Sequence, residues 1–237
     1  MRVAALYDIH GNLPALDAIL AEAGAVDALV VGGDITAGPL PRATLERVLA
    51  LGDRAHLIRG NADRAVVEGT VERGDLADEH VQLLAGLPLT VTLDVDGLGP
   101  TVFCHATPRD DETVFTERDA DDVVADLLGE TAESTIVCGH THLQIDRRVG
   151  ARRVVNAGSV GFPRGAVGAH WALLGPGVDL RQTEYDSAAA YERFRATPCY
   201  AEDRGRFLVD NLLTPPPRSD ALDFFEQIAV QQRGGVT

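Results

Sequence analysis

The chain has 237 residues, enough to bury a full core in one or two domains. Its formal net charge of -15 opposes binding of extended nucleic acid, and its basic residues are all arginine, which excludes a lysine nucleophile or a lysine-dependent phosphate loop. No apolar run approaches the roughly 18 residues of a membrane-spanning helix, and Cys104, Cys138 and Cys199 form no C-x-x-C unit or disulfide framework.

Residues 3–7 read as the first strand. The stretch is too short and lacks the small-residue cleavage site of a secretory signal, so the cytoplasm is the expected compartment. Residues 13–23 follow as a helix, with Leu16, Ile19 and Leu20 as an apolar stripe, Asn12 as cap and Pro14 in the first turn. A strand at 28–31, a helix at 42–51 and a strand at 56–58 come next. Strands at 101–104 and 135–138 share with the earlier ones a run that is apolar on both faces, the pattern of a buried sheet. Cys104 and Cys138 lie in these runs and read as small buried hydrophobes.

Residues 91–95, 154–155, 171–174 and 178–185 read as strands without long helices between them, which favours sheet-on-sheet packing. Helices are then expected at 188–195 and near 207–213, a stiff break at Thr214-Pro215-Pro216-Pro217, and a last helix from about Ser219 or Asp220. Leu222, Phe225, Ile228 and Ala229 recur at helical spacing, as in a helix that covers a core or meets another subunit. The expected organisation is a main α/β domain over 1–185 and a helical extension over 186–237 packed on it.

Asp8, His10, Asp34, Asn61, His105, His140 and His142 each stand just after a predicted strand. In open α/β sheets the crevice beyond the carboxyl ends of the strands is where ligands bind, so these scattered positions can converge. Asp8 and His10, like His140 and His142, are two apart, and in an extended chain both side chains of such a pair project to one side. Gly33 before Asp34 and Gly60 before Asn61 let the backbone approach closely. The mixed nitrogen and oxygen set suits two divalent ions, manganese foremost, with iron, zinc or nickel as other choices. Arg64 and Arg109 lie just past two of these residues and could clamp a substrate phosphate. Asn12 and Asp63 could orient ligands. His56, His80 and His170 fit no part of the set.

The ordered motifs Asp8-Ile9-His10-Gly11-Asn12, Gly33-Asp34, Gly60-Asn61-Ala62-Asp63, His105 and Gly139-His140-Thr141-His142 resemble those of the calcineurin-like metallophosphoesterases, over most of residues 1–185. The run Asn156-Ala157-Gly158-Ser159-Val160-Gly161 is similar to the strand and turn that follow the double histidine in bacterial members, including small phosphodiesterases and diadenosine tetraphosphatase-like enzymes. The resemblance implies a four-layer α/β/β/α sandwich of two mixed sheets. It implies one ion held by Asp8, His10 and His142, a second by Asn61, His105 and His140, and Asp34 as bridge, with Asp34, Asn61 and His105 central to hydrolysis by a hydroxide between the ions. Many members carry a histidine after the asparagine, where this chain has Ala62. Losing a general acid, typically worth about 10² to 10⁴ in rate, favours substrates with acidic leaving groups. The expected substrate is a small phosphodiester or nucleotide phosphoanhydride, with no membrane partner and a homo-oligomer as one arrangement. A protein serine/threonine phosphatase is one alternative; a non-catalytic module, as in the retromer subunit that shares the fold but has lost ligands, is another.

Overall fold

The computed structural model of the chain describes residues 1–234. In chain order the elements are β1 (Val3–Leu6), α1 (Leu13–Glu22), β2 (Ala28–Val31), α2 (Pro41–Leu49), β3 (Ala55–Leu57), α3 (Asn61–Glu68), α4 (Asp78–Ala85), β4 (Thr90–Val95) and β5 (Gly99–Cys104). They continue with α5 (Asp121–Leu128), β6 (Thr135–Cys138), β7 (Ile145–Val149), β8 (Arg152–Asn156), β9 (Ala169–Leu174), β10 (Val178–Thr183), α6 (Ser187–Arg195), α7 (Asp203–Asp210) and α8 (Arg218–Gly234). Two five-stranded sheets result, in the orders β10-β9-β1-β2-β3 and β4-β5-β6-β8-β7. Both are mixed: β1, β2 and β3 run parallel, as do β5, β6 and β8, whereas β4, β7, β9 and β10 pair antiparallel.

Strand alternation sorts the apolar side chains into layers. Val3, Ala5, Tyr7 and Val30 of the first sheet meet Phe103, Val137 and Val155 of the second in one buried cluster, so the sheets pack face to face. Ala4, Leu6, Leu29 and Val31 point the other way, onto Leu16 and Ile19 of α1 and Leu45 and Val48 of α2. Val102, Cys104, Ile136 and Cys138 cover the far side of the second sheet against Val124 and Leu128 of α5. The four-layer α/β/β/α sandwich expected from the sequence is thus the observed architecture. Tyr7 crosses the central layer, its hydroxyl donating to the Val137 carbonyl at 2.9 Å. Leaving such a buried hydroxyl unpaired would cost about 1 to 3 kcal/mol, so this bond holds the ends of β1 and β6 together.

Leu208 and Val209 of α7 and Phe194 of α6 pack around Phe162, and Leu222 and Phe225 of α8 around Val114 and Leu143. Residues 235–237, the end of the expected extension, lie outside the described residues. The sequence reading did not find α3, α4, α5 or β7. Each is five to eight residues long and buries only a few apolar side chains, too few for a period to show. Cys104 and Cys138 are buried free thiols, pushed up in pKa by burial, consistent with small core side chains. No described helix is long and apolar enough to cross a membrane.

Candidate metal centre

The parallel strands deliver their following residues to one rim. Asp8 follows β1, Asp34 follows β2, Asn61 opens α3 beyond β3, His105 follows β5, and His140 and His142 follow β6. Backbone bonds stitch these loops in register: Asp8 N donates to Gly33 O at 3.1 Å, His10 N to Asp34 O at 2.8 Å and Gly139 N to His105 O at 2.9 Å. Across the sheets, His140 N donates to Asp8 Oδ2 at 2.9 Å.

The local backbone differs from the extended chain expected for the Asp8 and His10 pair and the His140 and His142 pair. Asp8, His10, Asp34, His140 and His142 are not extended: their φ angles are 53°, 47°, 53°, 70° and 60°, the left-handed region, and they are the only non-glycine residues with positive φ among the described residues. Such a conformation costs on the order of 1 kcal/mol per residue for an L side chain. The inter-loop bonds above impose it, and five candidate ligands carry it.

Three imidazoles are tethered alike. His10 Nδ1 meets Ala37 O at 3.2 Å, His105 Nδ1 meets Gly32 O at 2.8 Å and His142 Nδ1 meets Phe162 O at 2.7 Å. A carbonyl only accepts, so each neutral ring carries its proton on Nδ1 and turns a bare Nε2 lone pair inward. The His10 and His142 Nε2 atoms lie 3.2 Å apart. His142 Nε2 is 3.4 Å, His105 Nε2 3.8 Å and His10 Nε2 4.0 Å from Asp8 Oδ1, a buried oxygen with no hydrogen-bond partner among the described residues. Asp34 faces both halves, with Oδ2 3.6 Å from His10 Nε2 and Oδ1 3.6 Å from His105 Nε2. Asn61 Oδ1 lies 3.0 Å from His105 Nε2. The His140 ring stands edge-on to His105 at 5.2 Å, its Nε2 on Glu112 O at 3.0 Å, which leaves Nδ1 as its free lone pair.

Two groups, Asp8-His10-His142 and Asp8-Asp34-His105, each bring ligand atoms within 4.8 Å of one another. Donors about 2.1 Å from a common cation are themselves about 3 to 4.2 Å apart, so the observed spacings fit divalent ions. The orphaned Asp8 oxygen and the facing lone pairs of His10 and His142 are the observations that demand a positive charge here. Electrostatics agree. Burial alone would raise Asp8, but His142, His105 and His10 override it and hold the carboxyl below its ordinary range. Burial raises Asp34, and the like charge of Asp8 adds to it. Burial, with neighbouring imidazoles, holds His10 well below its ordinary value and His140 down at about 4, so both offer lone pairs at neutral pH.

The supporting shell is built from buried polar groups. Asp63 accepts from Ile35 N at 2.9 Å and from Gly60 N at 3.2 Å, tying the chain after Asp34 to the chain before Asn61; burial and the nearby Asp34 push it up to about 7. Asn12 caps α1 by accepting from Ala15 N at 3.1 Å and also donates to Gly161 O at 2.8 Å and to the Tyr185 hydroxyl at 2.9 Å. Asn156 donates to Gly139 O and to Thr141 Oγ1, holding the loop of His140 and His142. Ser159 Oγ donates to Asp8 O at 2.9 Å. In the sequence Asn156 and Ser159 stand out only as members of the resembling motif, which gives neither a role.

Arg64 lies beside this site, its guanidinium on Asp111 and, at 2.8 Å, on Glu112 Oε2. Arg109 is elsewhere: it donates to Asp126 O at 3.1 Å at the end of α5 and lines a separate small cavity with Arg152. His56 sits half-buried on β3, His80 accepts from Ala77 N at 3.2 Å at the start of α4, and His170 is buried on β9; none belongs to the cluster. Ala62 is buried and offers Asp34 Oδ1 only its backbone N–H, at 2.7 Å.

The family model for the calcineurin-like phosphoesterase superfamily domain matches residues 1–176. Comparison with curated proteins finds no match. Among solved structures, a metallophosphoesterase from Sphaerobacter thermophilus superposes with a TM-score of 0.71 at 25% identity, covering 89% of this chain and 98% of its own. A hypothetical protein from Pyrococcus horikoshii OT3 superposes with a TM-score of 0.69 at 21% identity, covering 89% and 97%, a likeness of fold.

Proposed function

Because the chain belongs to the calcineurin-like phosphoesterase superfamily, a family of metal-dependent phosphoester hydrolases, we propose that it hydrolyses small phosphodiesters or nucleotide phosphoanhydrides at a dinuclear centre. The observation that supports a pair of ions is Asp34, whose two oxygens each face a different half of the cluster at 3.6 Å. Manganese is the proposed metal, since an imidazole-carboxylate-amide set falls between hard oxygen cages and thiolate sites.

Bound divalent ions supply Lewis acidity, acidifying water and neutralising phosphoryl charge. The chain's own part is to hold donors in place and to keep their protons out of the way. The tethers of His10, His105 and His142 fix every Nε2 as a lone pair. Asp63 and Asn156 lock the loops on either side. Hydrolysis joins a water oxygen to phosphorus and expels the leaving group with its electron pair. At Ala62 no side chain can protonate that group, which supports the preference for phenolate-like or phosphate leaving groups over alkoxides. Of Arg64 and Arg109, Arg64, held on Asp111 and Glu112 beside the centre, is the one placed to clamp a phosphate.

A panel of bis(p-nitrophenyl) phosphate, thymidine 5′-p-nitrophenyl phosphate, a dinucleoside polyphosphate and an alkyl phosphomonoester, assayed with Mn²⁺, tests this reading. Activity on the first three and little on the last is expected, and it should disappear in Asp34→Asn and His105→Ala. Activity that persists in both variants, or alkyl phosphate as the best substrate, would overturn it.

A further inference from the structure

A cavity of about 910 Å³ opens beside the metal centre, between the start of α2, the loop joining α3 to α4 and the helical extension. Its size lies within the usual range of small-molecule sites, roughly 300 to 1,000 Å³. It shares a wall with the metal centre: Ala37, which lines it, is the residue whose carbonyl anchors His10. Pro39, Leu40, Pro198 and Leu208 make much of the lining apolar. The charged lining residues are Glu72, Asp75, Glu202 and Asp203, with Arg204 as the one base.

Arg204 is unlike most arginines of this acidic chain. Its neighbour Arg206 pairs with Asp203 at 3.8 Å and donates to Ala201 O. Arg204 is exposed and makes no hydrogen bond or ion pair among the described residues. It lies on α7 three residues before Phe207, so both share a helix face. That face looks toward the ligand loops, because the Arg164 guanidinium stacks 5.4 Å over Phe207 and Arg164 N donates to His142 O at 3.3 Å. Gly38, which also lines the cavity, lies directly against the backbone carbonyl of His10.

We propose that this cavity receives the organic group esterified to the reacting phosphate, a largely apolar, hydrogen-bond-donating group of nucleoside size, and that Arg204 at its mouth contacts the phosphate. The assignment rests on the phosphoesterase reading above and narrows it. An unpaired guanidinium is suited to phosphate oxygens and needs no carboxylate broken to reach them. Apolar walls shelter a flat or ring-shaped group, and the carboxylates accept from amino or hydroxyl donors while repelling any further anion. The family match ends at residue 176, so the wall of this pocket that carries Arg204 and Leu208 lies beyond it, while the facing wall from Ala37 to Asp75 lies within it.

Calorimetric titration of the Mn²⁺-loaded full chain with AMP and with inorganic phosphate tests the proposal. AMP is expected to bind at least about tenfold more tightly than phosphate, a difference of about 1.4 kcal/mol. Leu208→Trp and Ala43→Trp fill the cavity from α7 and α2, and each should bring that ratio close to one; two variants guard against the misfolding of either. Arg204→Ala should weaken AMP about tenfold, with partial recovery in Arg204→Lys. A wild-type ratio near one, or a preference retained in both filled variants, overturns the cavity assignment. Because the readout is binding, the two readings fail separately. Cleavage of the panel without any AMP preference removes only the cavity assignment; the expected preference without cleavage removes only the hydrolase reading.

Discussion

The Nε2 atoms of His10 and His142 face each other at 3.2 Å, and neither ring can turn away, because each Nδ1 is committed to a backbone carbonyl. Two lone pairs at that distance repel in the absence of a cation, and buried Asp8 Oδ1 beside them has no donor among the described residues. Metal binding therefore relieves a cost present in the folded chain. At a free concentration a hundred times Kd, a ligand adds about 2.7 kcal/mol of stability. For a chain of this size that corresponds to a rise in Tm of about 5 to 10 °C. Calorimetric melts in Mn²⁺ and in EDTA should differ by this amount, and the difference should collapse in Asp8→Asn. An unchanged Tm on chelation would count against the site.

A Cβ at Gly60 would lie 2.2 Å from Asp34 Oδ1 and 2.3 Å from Asp34 N. Gly60→Ala changes no ligand, yet it must push Asp34 from its place between the two halves. Overpacking of this kind costs about 1 to 3 kcal/mol. The expected result is a folded, less stable protein that retains fewer metal equivalents on purification, measured by elemental analysis, with loss of hydrolysis. Full metal content and wild-type turnover would show that the approach is not needed.

Asn156 holds the loop of His140 and His142 without touching the cluster itself. Removing groups that orient ligands typically weakens metal binding about 10- to 100-fold. Asn156→Ala should show that loss in a competitive chelator titration, and Asn156→Asp, which keeps the acceptor for Gly158 N but not the donors, should fall with it. A wild-type affinity in either variant would contradict the role.

His170, buried on β9 with neither ring nitrogen paired among the described residues, is held down at about 4 by burial and by Arg218. An unfolded histidine titrates near about 6.5, so as pH falls the unfolded chain takes up its proton first. The contribution is intact above pH 6.5 and is lost between 6.5 and 4, amounting to about 3 kcal/mol. Urea unfolding in EDTA at a series of pH values should show a shallower acid decline in His170→Leu than in the wild type. Parallel curves would assign the decline to other groups.

The residues of the centre were legible because each punctuates an apolar run: a polar side chain directly after a buried strand marks the rim of an α/β sheet. Asp8, Asp34 and His105 needed nothing more. The backbone that carries them was not legible. Neither Asp8 nor His142 announces a left-handed conformation, which comes from bonds between loops far apart in sequence. The short helix α3 was hidden by Gly60-Asn61, a pair that reads locally as a turn and in the fold is a helix start. Arg204 carries no local signal either. What singles it out is that no described residue pairs with it, a fact about three dimensions.

Gln232, near the end of α8, donates to Glu112 O at 2.9 Å and accepts from Val114 N at 2.8 Å. Glu112 O is also the carbonyl that meets His140 Nε2. His140 is thus aimed by a carbonyl that a residue some ninety positions later in the chain holds in place. If the centre is dinuclear as proposed, chains ended at Pro217 should fold their sheets but bind one strong equivalent of Mn²⁺ by calorimetric titration where the full chain binds two.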